Sequence, residues 1–514
     1  MPATLDTLSL ELVDLIVTLL EPNQGLARYA TISKTWQYAV ERYTFKHPQS
    51  FSSELSRLKM IIGDSPRRIG HVKSLSYSID LPLFSLNRHT NFERRREHQA
   101  NLVAFRNEVI NLWTELATWQ DNSHVSSQGL KLVLSADTPS YRDRYRESPT
   151  STGYGHERWA YPEHSLTLHN DKEDPLALPS LSSISDLSIA TSGRRIHPTA
   201  IKQILDSLPH LCKLDLKIWP VKRKNKSLRA EMRNALASAL ESPSLQNLEV
   251  LRIDMEESTP YDHNYQTAEI DPDYPDGDHL CRAVCTLAQR SLRELYMGQE
   301  CLISPVLWGF DRVNRDREEK SFPYLEKLQI DFALYTYDGR WYYTGDPSEG
   351  ADHGFNEADH RDAAPPLTSD SEPDSCSSYN SEYADTLNEE LEDELNGNTP
   401  YNSWRQVPDL SMFNPLIRAL VSATLRMPRL MALRVRANNP GEDEYGISVE
   451  CAGPGIRAQG VYSEGISSTL QPEDQLGKWR WVVHMGYRGS WDLPGDIQEL
   501  MREKLGEEGE ILIF

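Results

Sequence analysis

The chain has 514 residues and a formal net charge of −22, long enough for several domains or one repeat array, and too acidic for a general nucleic-acid binder, which needs a basic face. Residues 346–394 hold sixteen Asp or Glu against the single Arg361, a local −15, so the rest of the chain carries only −7. Six cysteines, no basic-then-apolar leader after Met1-Pro2-Ala3 and no apolar run of about eighteen residues predict reduced thiols, no membrane span, and a cytoplasmic or nuclear site of action.

At the N-terminus, Leu8, Leu12, Leu15, Ile16 and Leu19 recur at three- and four-residue steps, which places them on one helical face. Ser9 is positioned to cap this helix, and Glu11 and Asp14 lie early, where the positive end of the helix dipole favours them. Pro22-Asn23-Gln24-Gly25 ends it. A second short helix turns Leu26, Tyr29 and Ala30 inward, and Ser33 caps a third that carries Trp36, Val40 and Tyr43. Three short helices bury little surface by themselves. Their apolar face therefore rests either on the remainder of the chain, as an ordinary helical cap, or on another protein.

The run Leu8-Ser9-Leu10-Glu11-Leu12, followed by Ile16, Leu19 and Leu20 and then by Ser33-Lys34-Thr35-Trp36 and Phe45, resembles an F-box. The resemblance implies a unit over residues 1–50 that docks on a Skp-type adaptor, and through it on the cullin of an SCF-type ubiquitin ligase. Leu8, Leu12, Ile16, Leu19, Leu20 and Trp36 are its expected adaptor-binding residues. Ser9 stands where the family usually has proline. Proline would pre-set the first helical turn, and serine starts the helix by capping instead.

Leu55, Leu58, Ile61 and Ile62 predict a linker helix before a strand at Val72, Leu75 and Tyr77. His98, Leu102, Phe105, Val109, Leu112 and Leu116 trace a long amphipathic helix, followed by a strand at Leu130, Leu132 and Leu134 and a long loop over 137–170. From there the spacing L-x-x-L-x-L recurs. It is met at Leu211, Leu214 and Leu216; at Leu248, Leu251 and Ile253; at Leu292, Leu295 and Met297; at Leu325, Leu328 and Ile330; and at Leu430, Leu433 and Val435. Val72, Leu75 and Tyr77 form a weaker copy, as do Ile184, Leu187 and Ile189. Helical stripes ending at Pro209, Pro243 and Pro428 precede three of the copies, each proline stopping a helix ahead of a strand. Such units bury their apolar faces only by stacking, as a parallel sheet lined by helices.

The expected fold class is therefore α/β, and the pattern resembles an irregular leucine-rich-repeat solenoid over 51–343, with a last repeat and C-terminal cap over 404–514. The family's Asn or Cys after each core is replaced by Trp219, Glu256, Glu300 and Ala333, and kept only at Asn438, which predicts uneven curvature. An α/β array of unrelated ancestry fits the same spacing. Residues 344–403 are acidic, rich in Ser, Asn and Pro, and poor in aliphatic anchors, and are expected to be a disordered insertion. In the cap, strands at 478–485 and 511–514 flank a helix marked by Ile497, Leu500, Met501 and Leu505.

Sites for chemistry are sparse. Asp271, Asp273, Asp276 and Asp278 invite a calcium reading, but Gly277 falls at position seven and Arg282 at twelve, which fails the EF-hand spacing. A solvated acidic loop fits better. His279, Cys281 and Cys285 lie on a helical pattern and read as buried thiols rather than zinc ligands. Lys222-Arg223-Lys224-Asn225-Lys226 is either a nuclear address or a charged loop. No nucleophile elbow, P-loop, His-Glu-x-x-His or dinucleotide fingerprint occurs, so no enzyme, cofactor or metal site is expected. The expected function is that of a substrate receptor whose solenoid holds a target protein, or alternatively a non-degradative interaction scaffold. Residues alternating with the buried strand positions face outward, which makes Lys217, Arg252, Tyr296, Asp331 and Arg434 the expected target-binding residues, unless that face is merely solvated. Its mixed charge suits a protein partner better than nucleic acid.

Overall fold

The computed structural model describes residues 8–20, 25–82, 95–121, 129–137, 164–169, 177–190, 194–218, 221–255, 259–270, 277–310, 320–349, 393–437, 446–456, 477–485, 491–506 and 508–514. At its N-terminal end, α1 (Leu10–Leu19), a 3-10 turn (Leu26–Thr31) and α2 (Lys34–Thr44) form a small unit with its own core of Val13, Val17, Trp36, Ala39 and Val40. Leu26, Tyr29 and Ala30 pack on that core from the turn, as their spacing predicts. Ser33 caps α2 through its Oγ, which accepts from the Trp36 amide at 3.4 Å. Ser9 occupies the N-cap position of α1, but its side chain accepts no capping hydrogen bond there, so the cap expected of it is not made.

The rest is built on one mixed sheet, mostly parallel, whose strands follow one another in space in chain order. The strands are β1 (Gln49–Phe51), β2 (Ser74–Asp80), β3 (Leu130–Asp137), β4 (Ile184–Ile189), β5 (Lys213–Ile218), β6 (Val250–Met255), β7 (Glu294–Cys301) and β8 (Lys327–Phe332). A two-stranded ribbon, β9 (Tyr343–Thr344) with β10 (Val407–Pro408), stands apart, and the sheet resumes with β11 (Ala432–Ala437), β12 (Ser448–Ala452), β13 (Arg480–His484) and β14 (Glu510–Ile513). Pairing is parallel from β1 through β8 and on to β11; β12 and β13 run antiparallel to their predecessors, and β14 is parallel to β13.

The register explains why the leucine spacing was so visible. Leu75, Leu132, Leu187, Leu214, Leu251, Leu295, Leu328 and Leu433 are direct neighbours across successive strands, an unbroken apolar ladder. Two residues on, where the strand period returns to the same face, Tyr77, Leu134, Ile189, Leu216, Ile253, Met297, Ile330 and Val435 form a second. Both ladders belong to one core, which also takes the buried faces of α3 (Arg95–Asp121), α4 (Pro198–Asp206), α5 (Lys226–Leu240), α6 (His279–Arg290), α7 (Leu410–Thr424) and α8 (Gly495–Leu505). Helices α4, α5 and α6 lie side by side along it.

One expectation is corrected. Residues 393–403, read as part of a disordered insertion, are docked: Gly397 O accepts from the Asp262 amide at 2.8 Å, Asn402 O from the His263 amide at 3.0 Å, and Leu395 O from the Tyr265 hydroxyl at 3.0 Å. Just beyond, the Arg405 guanidinium lies between the rings of Trp341 and Trp404, 4.7 and 4.2 Å from their centroids. Residues 350–392 lie outside the described residues. In the basic run 222–226, open between an address and a charged loop, Arg223 and Lys224 are 7% and 8% exposed; the Arg223 guanidinium donates to the Asn396 carbonyl and the Lys224 backbone amide to Asn396 Oδ1. Among the described residues, no helix is long and apolar enough to cross a membrane.

Candidate protein-binding surfaces

Helix α1 divides its apolar arc between two tasks. At about 100° per residue, Val13, Val17 and Leu20 point to one edge of the arc and Leu12, Leu15 and Leu19 to the other, with Ile16 between. The first edge is the floor of the three-helix core, where Val13 and Val17 are fully buried and Leu8, Leu10, Ile16 and Leu20 pack partly against it. The second edge faces outward, with Leu12, Leu15 and Leu19 exposed by 50%, 56% and 75%. Trp36 is not on this surface: it is 3% exposed, stacked on Tyr29 at 6.1 Å inside the unit. So large a ring is the natural filler for so small a core. Of the expected adaptor-binding residues, the geometry therefore brings Leu12 and Leu19 onto one open stripe, adds Leu15, leaves Leu8, Ile16 and Leu20 at its margin, and withdraws Trp36.

The unit is fixed in place by charged contacts that sequence reasoning missed. Asp14 of α1 pairs with Arg42 of α2 at 3.1 Å. Glu41, 6% exposed, takes Arg67 on one oxygen at 2.5 Å and Arg68 on the other at 3.1 Å. Both arginines sit on the helical turn Pro66–Ile69 that leads into β2. Arg68 also donates to the Ile61 carbonyl at 2.8 Å and lies over the Phe45 ring at 5.2 Å. No local pattern announces such a joint, because its partners are about 27 residues apart.

On the sheet, the face opposite the ladders carries Ser76, Val133, Ser188, Asp215, Arg252, Tyr296, Gln329 and Arg434 as one transverse row, followed by Lys217, Asp254 and Gly298 in register. Lys217 and Arg252 are exposed and Tyr296 half-buried. Two expected target-binding residues are engaged internally. Asp331 is 7% exposed and accepts from Arg436 Nε at 3.1 Å. Arg434 lies 3.5 Å from Glu450 of the neighbouring strand, its side chain 16% exposed. In a sheet, opposite charges directly across from one another pair before they reach a partner.

The centre of this face is polar and crowded. Burial raises the Asp254 carboxyl above its ordinary range, Asp215 and Asp331 add to the rise, and Lys217 and Arg252 oppose it. Burial likewise raises the Tyr296 phenol, with Asp254 and Asp331 adding to it. Tyr296 folds across Gly298, where a Cβ would run into both its hydroxyl and Asp254 Oδ1. Between Met297 and Cys301 the β7 register slips, and Glu300 adopts φ 61, a left-handed conformation. Its carboxylate accepts from the Thr259 amide at 2.6 Å.

The thiols are elsewhere. Cys281 and Cys285 are buried on the inner side of α6, and burial pushes the Cys281 thiol well up. His279 turns away from them, toward Glu241 at 3.1 Å. Among the described residues no group of three or more His, Cys, Asp or Glu is arranged to hold a metal ion. No protein-family model matches the chain, and a search of curated proteins finds no match.

Proposed function

We propose that this chain is a substrate receptor of an SCF-type ubiquitin ligase, in which α1 docks on a Skp-type adaptor and an irregular leucine-rich-repeat-like solenoid holds a target protein. The observation that supports the reading best is the stripe of Leu12, Leu15 and Leu19, left in water by a unit that has already filled its own core. Fully burying an exposed leucine is worth roughly 1.5–3 kcal/mol; with Leu12, Leu15 and Leu19 already partly covered, hiding the rest is worth roughly half to three-quarters of that for each, and the three together are the kind of apolar anchors by which a helix face docks in a groove. Ubiquitin transfer would then follow from holding the target near the ligase core, with proximity as the chain's contribution. Lys217, Arg252 and Tyr296 remain the target-facing residues that the sheet leaves accessible. Such a receptor would act where its ligase does, in cytoplasm or nucleus.

The test replaces only exposed leucines. Leu12→Asp with Leu19→Asp is expected to abolish co-purification of adaptor and cullin with the full chain, while circular dichroism and the melting curve stay unchanged. Ile16 is a poorer choice, because it packs against the unit's own core. Recovery of adaptor and cullin at wild-type levels from the doubly substituted chain overturns the proposal.

A further inference from the structure

The joint between the three-helix unit and the sheet closes on one imidazole. His71, between the Pro66–Ile69 turn and β2, is 7% exposed and meets the Tyr38 ring of α2 edge-on, centroids 4.8 Å apart. Its Nε2 is buried and has no hydrogen-bond partner among the described residues. The charged groups that act on it come from each element packed there: Asp14 from α1, Glu41 and Arg42 from α2, and Arg67 from the turn. The two carboxylates that would welcome an imidazolium are both engaged, Asp14 with Arg42, and Glu41 with Arg67 and Arg68.

We propose that His71 makes this joint proton-sensitive: the neutral ring packs the unit against the sheet, and the protonated ring loosens it. Protonation would leave a buried N–H without an acceptor, and would add a third positive charge beside Arg42 and Arg67. Burial is the main cause holding the imidazole below its ordinary 6.5; Arg67 and Arg42 act in the same direction, and Glu41 and Asp14 oppose them. The docked joint therefore binds fewer protons than the released one. Docking is fully favoured above pH 6.5 and weakens as pH falls below it, by at most about tenfold in the docked-to-released ratio per pH unit. Because α1 rides on this unit, loosening would change where its leucine stripe points relative to the sheet. That consequence rests on the proposed receptor function; the chemistry of the joint does not.

Hydrogen–deuterium exchange on the full chain tests it without any partner, from about pH 7.5 to about pH 5.5 with labelling times scaled to the intrinsic rates. The expected result is that segments 34–44 and 66–72 lose protection together as pH falls, while β5 to β8 keep theirs. His71→Phe preserves an aromatic ring against Tyr38 and should abolish the pH response. Arg67→Gln, at a half-exposed position, raises exchange at every pH but should flatten the response, since it removes a like charge and frees Glu41 to accept the imidazolium. Constant protection in the wild type overturns the proposal, as does an undiminished pH response in either variant.

Discussion

Asp278 offers the sharpest energetic test of the fold. It was legible in the sequence as one more carboxylate of an acidic loop, yet the structure buries it completely at the start of α6. One oxygen accepts from Arg233 Nη2 at 2.6 Å and from the Cys281 amide at 3.1 Å, so a single carboxylate both caps the helix and neutralises a guanidinium. The paired side chains are 1% and 0% exposed. Asp278→Ala leaves the Arg233 charge buried without its counter-ion, a loss of roughly 3–5 kcal/mol, to which the lost cap adds about 1 kcal/mol. Removing both charges is a different experiment. With Arg233→Met as well, no charge is stranded, and most of the penalty except the cap should be recovered, because buried ion pairs exchange nearly evenly for apolar groups. Urea unfolding of the wild type, both single variants and the double variant, read as a thermodynamic cycle, gives the coupling. A loss below about 1 kcal/mol in Asp278→Ala, or a double variant no more stable than the single, would falsify the assignment of this pair as a buried structural contact.

Two further outcomes follow from single positions. Gly298→Ala is expected to cost about 1–3 kcal/mol through overpacking against the Tyr296 ring and Asp254, and the combination with Tyr296→Ala, which clears the space, should restore much of it; urea midpoints decide. Trp36→Ala should cost about 3–5 kcal/mol within the three-helix unit, seen as lost exchange protection over residues 10–44 with the leucine ladders of the sheet unaffected, whereas a Trp36 that served as a surface contact would leave that protection intact.

Why the sheet was readable and its surroundings were not is a matter of period. A strand that pairs in register on both sides and buries one face must repeat apolar residues every second position, so Leu214 with Leu216, or Leu251 with Ile253, declares both the strand and its orientation. The prolines after α4, α5 and α7 added the breaks. By contrast β1 has three residues, too few for any period. In β12 every residue is buried, so the sequence Ser448–Ala452 shows no alternation. Residues 393–405 dock through backbone carbonyls, the side chains of Asn396 and Asn398, and one arginine held between two tryptophans. Polar contacts of that kind leave no hydrophobic pattern, and a segment held by them reads as loop. The joint at Glu41 is opaque for the same reason.

The α1 surface was half legible, and the missing half carries the functional argument. Leucine periodicity identified the arc containing Leu12, Leu15 and Leu19, but not which edge of the helix the unit keeps for itself, since that depends on where α2 lies. The answer is the valine edge: Val13 and Val17 close the small core beneath Trp36. With its core complete, the unit draws only part of the possible burial from three leucines left 50% to 75% exposed. Lysine or glutamate has nearly the same helix propensity as leucine and would serve solubility better at such positions. Such a stripe, on a helix tied to α2 by Asp14–Arg42, is the surface that the docking proposed for α1 would use. That reasoning supports docking by α1 whatever the partner, and the adaptor is the partner that the Leu8-to-Phe45 resemblance proposes for it.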